Sequence, residues 1–258
     1  MHYLVAGQGK SGTTALFACL EQSLPGPLHT SFEPRRPEQI TEVFDATGVA
    51  HTLSKVKLQY LDEKSVPVER FDRIVLIVRD PRDMLVSRLL YGFYEFQQHG
   101  LTAEYDAACE LLRGKIDDSD SIGVYDLLVR LAELQGRKPA IGAKAERRPV
   151  QFAQLHDPFV LKYEAFVDGD LAPLEAWLGL DLVREIDVGD RLRRVERSKS
   201  YGEWPEWFTD DDLVRLNKEW ARYFDAFGYE PVVASKPDKH IPHETSIEYV
   251  QRFRPAHP

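Results

Sequence analysis

Two segments of the chain share one order of apolar and polar residues. Each begins with a short apolar run, Tyr3 to Ala6 in the first segment and Ile74 to Val78 in the second, and continues through a polar turn into a stretch of helical period. Such a pattern is typical of a buried strand followed by a helix in a parallel sheet. Because parallel strands end at one edge of a sheet, the pattern predicts an α/β fold in which both turns lie where anionic ligands bind.

Apolar positions at helical spacing predict further helices along the rest of the chain. Their predicted ranges are Pro81–Gln97, Ser121–Gln135 and Leu171–Leu178, with one more helix that begins at Thr209. Thr209 and Asp212 form an approximate capping box at that last start. The apolar stripe that follows them is predicted to be core, and it consists of Leu213, Leu216, Trp220 and Phe224. We expect one large domain over residues 1–230 and a proline-rich extended tail over residues 231–258, which packs on the domain or on a second subunit of a homodimer.

The first polar turn has the composition of a phosphate-binding loop. Glycines at positions 7, 9 and 12 let the backbone bend so that successive N–H groups point at one anion, and the following helix adds its positive end. The same turn supplies one cation and three hydroxyl groups, from Lys10, Ser11, Thr13 and Thr14. A purely structural turn does not require this concentration of donors, so we predict an anion site.

Two familiar phosphate motifs fit this turn incompletely. The glycines satisfy the dinucleotide fingerprint GxGxxG, but the sequence SLPGPLHTSFEP after the helix has prolines that disfavour a second strand ending in a ribose-binding acid. Gly9, Lys10 and Ser11 match the end of a Walker A loop, yet Leu4 stands where that motif has its first glycine.

A third motif fits the chain better. The sequence KSGTT after a short strand resembles the 5′-phosphosulfate loop of sulfotransferases that use 3′-phosphoadenosine 5′-phosphosulfate (PAPS). That family also has an arginine at the end of a strand and a serine eight residues later, and Arg79 and Ser87 have this spacing. The resemblance implies that these two residues bind the 3′-phosphate. It implies that the 5′-phosphosulfate is bound by Gly9, Lys10, Ser11, Gly12, Thr13 and Thr14.

Two later stretches extend the resemblance. The sequence FVLKYEAF, from Phe159 to Phe166, is similar to a family strand that ends in a Tyr-Glu pair, which implies that Tyr163 lies near the adenine. The sequence RSKSYGEWPEWFT is similar to the family segment that wraps the 3′-phosphate. Arg197 matches that segment, whereas Ser198 and Lys199 stand where the family has lysine and glycine. The implied fold is three-layered and doubly wound, with a mainly parallel central sheet and a P-loop-like phosphate-binding turn.

The resemblance implies transfer of a sulfuryl group from PAPS to an acceptor hydroxyl or amine, with release of adenosine 3′,5′-bisphosphate (PAP). Lys10 is expected to stabilise the leaving phosphate. For the general base, Glu33 in TSFEPRRPE resembles the glutamate of tyrosylprotein and heparan-type sulfotransferases. Lys57 stands at the histidine position of the cytosolic Lys-Thr-His segment, so Lys57 or Lys55 is expected to assist the sulfuryl group. A surface ion pair with Arg35 or Arg36 is the structural alternative for Glu33.

The composition of the chain disfavours several classes of ligand. The chain has 33 Lys and Arg against 42 Asp and Glu, a formal net charge of −9, which disfavours binding to nucleic acid or to an anionic membrane surface. Cys19 and Cys109 do not form a disulfide framework. The acidic stretch Asp117, Asp118 and Asp120 is predicted to be a solvated loop, and the histidines are scattered, so no metal site is expected.

The chain starts directly with an apolar strand pattern and has no apolar segment of signal or membrane-span length, so we expect a soluble, cytoplasmic protein. A saccharide, a lipid and a small molecule remain open as acceptors. The predicted acceptor loops are Leu28 to Thr41 and Tyr91 to Ser121; the aromatic residues of the second, Tyr91, Phe93, Tyr94 and Phe96, could line a cavity or belong to helix core.

Two other functions use the same turn. A P-loop kinase or NTPase would require an aspartate at a strand end to bind magnesium, for which Asp80 is the nearest candidate. A non-catalytic nucleotide-binding protein would keep the phosphate-binding residues and lack a base.

Overall fold

The computed structural model describes residues 1–59, 67–138, 144–187 and 200–255 of the chain. These residues form two compact units, and each of them is built from two separate parts of the chain. The first unit comprises Met1–Asp80 and Lys144–Arg194, and the second comprises Pro81–Ala143 and Val195–Pro258. The predicted phosphate ligands Arg197, Ser198 and Lys199 lie outside the described residues.

The first unit is organised around a sheet of five parallel strands. The strands are β1 (His2–Gly7), β2 (Leu28–Phe32), β3 (His51–Lys57), β4 (Arg73–Val78) and β5 (Phe159–Lys162). Their order across the sheet is β2-β3-β1-β4-β5, so β1 lies at the centre and the chain builds outward from it in both directions. The predicted α/β fold with a mainly parallel, doubly wound sheet is confirmed.

Helices cover the sheet. The helices of this unit are α1 (Thr13–Ser23), α2 (Pro37–Thr41), α7 (Lys144–His156), α8 (Tyr163–Asp168) and α9 (Ala172–Leu178). One face of the sheet packs on α1, α8 and α9, with Leu16 and Leu20 of α1 and Leu174 of α9 fully or almost fully buried. The alternate strand residues, such as Leu4 and Leu76, are buried too, so both faces are covered. This two-sided burial is why β1 and β4 are continuous apolar runs in the sequence.

The second unit is helical in the part that the structure describes. Its helices are α3 (Pro81–Tyr91), α4 (Phe93–His99), α5 (Thr102–Asp117), α6 (Val124–Leu134), α10 (Asp210–Glu219), α11 (Ala221–Phe227) and α12 (Ile247–Gln251). The single helix predicted over Pro81–Gln97 is therefore wrong, because the chain breaks it at Gly92, a residue with low helix propensity. The predicted helix over Ser121–Gln135 begins later, at Val124.

The last predicted helix is confirmed at its start and divided farther on. The hydroxyl of Thr209 accepts a hydrogen bond from the N–H of Asp212 at 3.2 Å, and Asp212 Oδ2 accepts from the N–H of Thr209 at 3.1 Å. The predicted stripe is buried throughout, yet it spans two helices, since α10 ends before Trp220 and α11 begins after it.

The C-terminal residues contain a short helix, which corrects the expectation of an extended tail. α12 packs on α3 and α5, and the hydroxyl of Tyr105 in α5 donates to the carbonyl of Val250 at 3.1 Å. The ring of Phe253 lies 5.6 Å from that of Tyr94. Among the aromatic residues left open as cavity lining, Phe93 and Phe96 are fully buried and belong to helix core.

Two further properties follow from the described residues. Both cysteines are free thiols in buried positions. In the described ranges, no helix combines the length and apolar character that crossing a bilayer requires.

Asp212 is expected to be the most sensitive polar residue of the second unit. Its buried carboxylate accepts hydrogen bonds from the N–H groups of Val124 at 2.7 Å and Tyr125 at 3.1 Å, the first two residues of α6. The same side chain therefore caps the start of α6 and takes part in the capping box of α10. We expect Asp212→Ala to lower the free energy of unfolding by about 2–4 kcal/mol, because several buried donors lose their acceptor. Urea denaturation measures this change. The exposed neighbour Asp211 is the matched control, and Asp211→Ala should cost less than about 1 kcal/mol.

Candidate active site

The candidate residues gather at one edge of the sheet. Because all five strands are parallel, their carboxyl ends lie on the same side, and each is followed by residues that the sequence had singled out. These are the turn from Gly9 to Thr14 after β1, Glu33 after β2, Lys55 and Lys57 at the end of β3, Arg79 after β4 and Tyr163 after β5. All of them belong to the first unit.

The turn after β1 has two residues in the left-handed backbone region. Lys10 has φ of 74° and Gly12 has φ of 96°, and Gly12 caps the start of α1. Between them, the hydroxyl and the N–H of Ser11 both donate to the carbonyl of Gln8, at 2.8 and 3.2 Å. Left-handed residues within a turn create concave arrays of N–H groups that bind anions. The lysine adopts this conformation at a cost of about 1 kcal/mol, which is typical of functional turns.

Gly12 is required by the close approach of a tyrosine. A Cβ atom at this position would lie 2.4 Å from Cδ2 of Tyr163, so no larger residue fits without a shift. Tyr163 was expected near the end of β5, and the structure places it one residue beyond, as the first residue of α8. Its ring therefore borders the turn.

Arg79 joins the turn to Tyr163. Its guanidinium carbon lies 4.3 Å from the centre of the Tyr163 ring, and Nη1 donates to the carbonyl of Lys10 at 3.3 Å. The side chain is only 5% exposed, which fixes its direction. Beside it, the N–H of Asp80 donates to Oε1 of Glu164 at 2.9 Å. The turn, the arginine and the tyrosine thus form one packed group.

A second group surrounds Glu33. Its Oε1 accepts from Nζ of Lys55 at 2.5 Å, and its Oε2 lies 2.7 Å from Nζ of Lys57. The same Lys55 ammonium donates to the hydroxyl of Thr14 in α1 at 2.7 Å. Glu33 also has a positive φ, of 54°, and its N–H donates to the carbonyl of Lys55 at 2.9 Å. Glu33 therefore contacts β3 through both oxygens of its carboxylate and through its backbone N–H.

Burial and charge act in opposite directions on these groups. The side chain of Lys55 is fully buried, and this desolvation lowers its pKa to about 8 although the nearby Glu33 carboxylate raises it. Burial would raise the pKa of Glu33, but the cations of Lys55 and Lys57 outweigh this effect and hold the pKa below its ordinary value. At neutral pH Glu33 is ionised, and Lys55 is mostly an ammonium close to its titration range.

The sequence did not predict one polar contact of the turn after β1 and two contacts within the second unit. Oε1 of Gln59 accepts from the N–H of Gly9, in the turn after β1, at 2.8 Å. In the second unit, Asp83 accepts from the N–H groups of Gly202 at 2.6 Å and Trp204 at 3.2 Å. Arg82 lies 4.1 Å over the Trp204 ring, and the predicted ligand Ser87 is buried farther along α3. The sequence feature that could have indicated the contacts in the second unit is the charged pair Arg82 and Asp83, which stands directly before an apolar stretch of helix.

The described part of the chain contains no group of three or more His, Cys, Asp or Glu residues that could hold a metal ion. Cations are in the majority among the charged side chains at this edge of the sheet, namely Lys10, Arg79 and the two β3 lysines.

Comparison with known proteins supports the fold. No protein-family model matches the chain, and no curated protein matches it by sequence. Among solved structures, the chain is similar to mouse sulfotransferase SULT7A1 complexed with PAP, with a TM-score of 0.52 and 14% sequence identity. The similarity covers 87% of this chain and 84% of the mouse protein. The fold is therefore sulfotransferase-like.

The left-handed conformation of Lys10 predicts a difference between two variants that both remove its side chain. We expect Lys10→Gly to have a higher free energy of unfolding than Lys10→Ala by about 1 kcal/mol, because glycine adopts positive φ without strain. Both variants should bind anionic nucleotide about tenfold more weakly than the parent. Urea denaturation with nucleotide titration measures both quantities. An alanine variant more stable than the glycine variant would contradict the strained conformation.

Proposed function

We propose that this chain is a sulfotransferase that moves a sulfuryl group from PAPS to an acceptor hydroxyl and releases PAP. The observation that carries the proposal is the meeting of the Lys10 turn, Arg79 and the Glu33–Lys55 pair at the carboxyl edge of one parallel sheet. The motif resemblance supports it, and so does the likeness in fold to a sulfotransferase crystallised with PAP.

The donors at the sheet edge fit an anionic nucleotide. The N–H groups of the turn and the Lys10 ammonium suit the 5′-phosphosulfate, and the buried guanidinium of Arg79 suits a phosphate at the 3′ position. Tyr163, stacked on Arg79, offers an aromatic edge to the adenine. Ser87 and the segment Arg197, Ser198 and Lys199 are assigned to the 3′-phosphate by the resemblance alone.

The chemistry assigns a separate task to each group. The acceptor oxygen attacks sulfur, the bond from sulfur to the bridging oxygen breaks, and its electron pair leaves on the phosphate of PAP, where the Lys10 cation stabilises it. The proton of the acceptor hydroxyl passes to Glu33, which is ionised at neutral pH. A base with a lowered pKa provides little driving force by itself, so we infer that proton transfer accompanies bond cleavage.

The two lysines of β3 have unequal roles in this proposal. Both contact Glu33, and in the ammonium form neither has a lone pair with which to accept a proton. Lys55 is buried and orients the carboxylate through one oxygen while it binds Thr14. Lys57 is partly exposed at the end of β3, where its charge can reach the transferred sulfuryl group. Glu33 is therefore the proposed base, with Lys57 and Lys55 assisting.

The titration of Lys55 tests this electrostatic arrangement without an acceptor. We expect its side-chain NMR signals to titrate near pH 8, with the ammonium present below and lost above that value. Glu33→Gln removes a carboxylate that raises the pKa, so the midpoint should move to lower pH. Lys57→Met removes a cation that lowers the pKa, so the midpoint should move to higher pH. The signals of Lys55 are those that disappear in Lys55→Met. A midpoint that stays the same in both Glu33→Gln and Lys57→Met would contradict the proposed contacts among Glu33, Lys55 and Lys57.

Calorimetric titration with PAP in the presence of EDTA tests the proposed function directly. We expect binding without metal and a loss of at least about tenfold in affinity for Arg79→Gln, since a charged hydrogen bond contributes roughly 1.5–3 kcal/mol. Arg147→Gln, at an exposed arginine of α7 in the same unit, is the matched control and should bind normally.

The other outcomes identify the rival functions. If PAP does not bind and ATP with magnesium does, the turn belongs to a kinase or NTPase. If PAP binds but Glu33→Gln and the parent are equally inactive with radiolabelled PAPS and a broad acceptor panel, the protein is a nucleotide-binding module.

A further inference from the structure

An open groove borders Glu33 on the side of β2. It is about 700 Å³ in volume and is lined by residues 29–36 with Gln39, Glu42 and Val43, which include the end of β2 and the loop that leads into α2. This volume is within the range of sites that hold one small organic molecule. The groove lies wholly in the first unit, and the candidate base stands in its wall.

The charges of the groove favour an anion. Arg35 and Arg36 are exposed on its wall, and the lining acids are Glu33 and Glu42. Lys55 and Lys57 stand outside the lining and pair with Glu33, which leaves the two lining arginines opposite one other lining acid, Glu42. The whole chain has a net charge of −9, which makes a local excess of positive charge a departure from its average surface. Such an excess concentrates anionic ligands.

The two arginines project from a fixed backbone. Oε1 of Gln39 accepts from the N–H of Arg35 at 2.9 Å and from that of Arg36 at 3.2 Å. Pro34, which directly precedes the two arginines, is buried. The backbone of the loop is therefore held in place by the Gln39 amide at two residues that line the groove, which lowers the backbone entropy lost when a ligand binds there.

An apolar surface, Phe32, lines the same groove as the base and the arginines. The ring of Phe32 is 39% exposed, and the ammonium of Lys55 lies 4.1 Å from its centre. Arg35 is two residues from Glu33, so their Cα atoms are at most about 7 Å apart. A single small molecule can therefore place a hydroxyl at Glu33, carbon atoms on Phe32 and an anionic group at the arginines.

We infer that the acceptor is a hydroxylated anion, the size of one or two sugar rings or of a small aromatic acid, whose anionic group is bound by Arg35 and Arg36. The inference rests on the proposed function and names the acceptor class of that same site. An acidic saccharide and a phenolic acid have the same recognition chemistry, namely a hydroxyl and an anionic group on one compact skeleton.

Two matched pairs of compounds test the inference and separate these sources. The saccharide pair is p-nitrophenyl glucuronide and p-nitrophenyl glucoside, and the phenolic pair is p-hydroxybenzoate and its amide. Calorimetry in saturating PAP and EDTA measures the binding of each. We expect the anionic member of at least one pair to bind at least tenfold more tightly than its neutral partner. The pair that shows this preference identifies the source.

The arginine pair should carry that preference. In the double variant Arg35→Gln with Arg36→Gln, which keeps both N–H groups bonded to Gln39, the preference should fall below about threefold. PAP affinity should stay within twofold of the parent, which also shows that the variant is folded. Arg147→Gln is the control and should retain the full preference.

The outcomes distinguish the inference from the proposed function. If PAP binds but neither anion is preferred, or if the preference survives in the double variant, the inference is overturned and the proposed function stands. If PAP does not bind to the parent protein, the proposed function fails and the acceptor assignment fails with it.

Discussion

The register of β1 with its two neighbours is the constraint on which the candidate site depends. Gly7 pairs with Lys57 of β3 on one side and with Ile77 of β4 on the other, so the turn after β1 begins level with the ends of both strands. On the next strand pair, Phe32 is opposite Lys55, which brings Glu33 beside the β3 lysines. A slip of one residue in β3 would turn both lysines to the other face of the sheet.

The buried ammonium of Lys55 is the costliest group in this arrangement. A charge without exposure to water loses several kcal/mol of hydration, and this loss is offset only by close partners in good geometry. Its partners come from two different elements, the carboxylate after β2 and the Thr14 hydroxyl in the first turn of α1. The ammonium therefore ties the start of the helix behind the phosphate turn to the loop that bears the proposed base. The contact that stabilises the packing of α1 on β3 is therefore the same contact that orients the carboxylate of Glu33.

The sequence predicted β1 and β4 of the first unit and the resemblance implied β5, whereas the prolines had disfavoured a strand in the segment that forms β2. Continuous apolar runs such as Ile74 to Val78 are sufficient to predict a buried parallel strand, and the glycines with Lys10 are sufficient to predict the turn. The pairing of Glu33 with Lys55 required the order of β2 and β3 in the sheet, which is set by contacts between distant parts of the chain. In the second unit the apolar pattern on both sides of Gly92 outweighed its low helix propensity in the prediction, and α12 escaped prediction because it is held by contacts with α3 and α5. The hydrogen bonds from Gly202 and Trp204 to Asp83 were not predicted either, because they too join distant parts of the chain.

The carboxylate of Asp212 sets an order of events during synthesis of the chain. It stands 88 residues after Val124, the first residue of the helix α6 that it caps. At ordinary rates of translation, the start of α6 emerges on the order of ten seconds before its acceptor does. Until then water must satisfy those N–H groups, and α6 is complete only once the first turn of α10 has appeared. The division of the second unit into two parts of the chain therefore makes its closure a late step, dependent on a residue that is translated 88 positions after the start of α6.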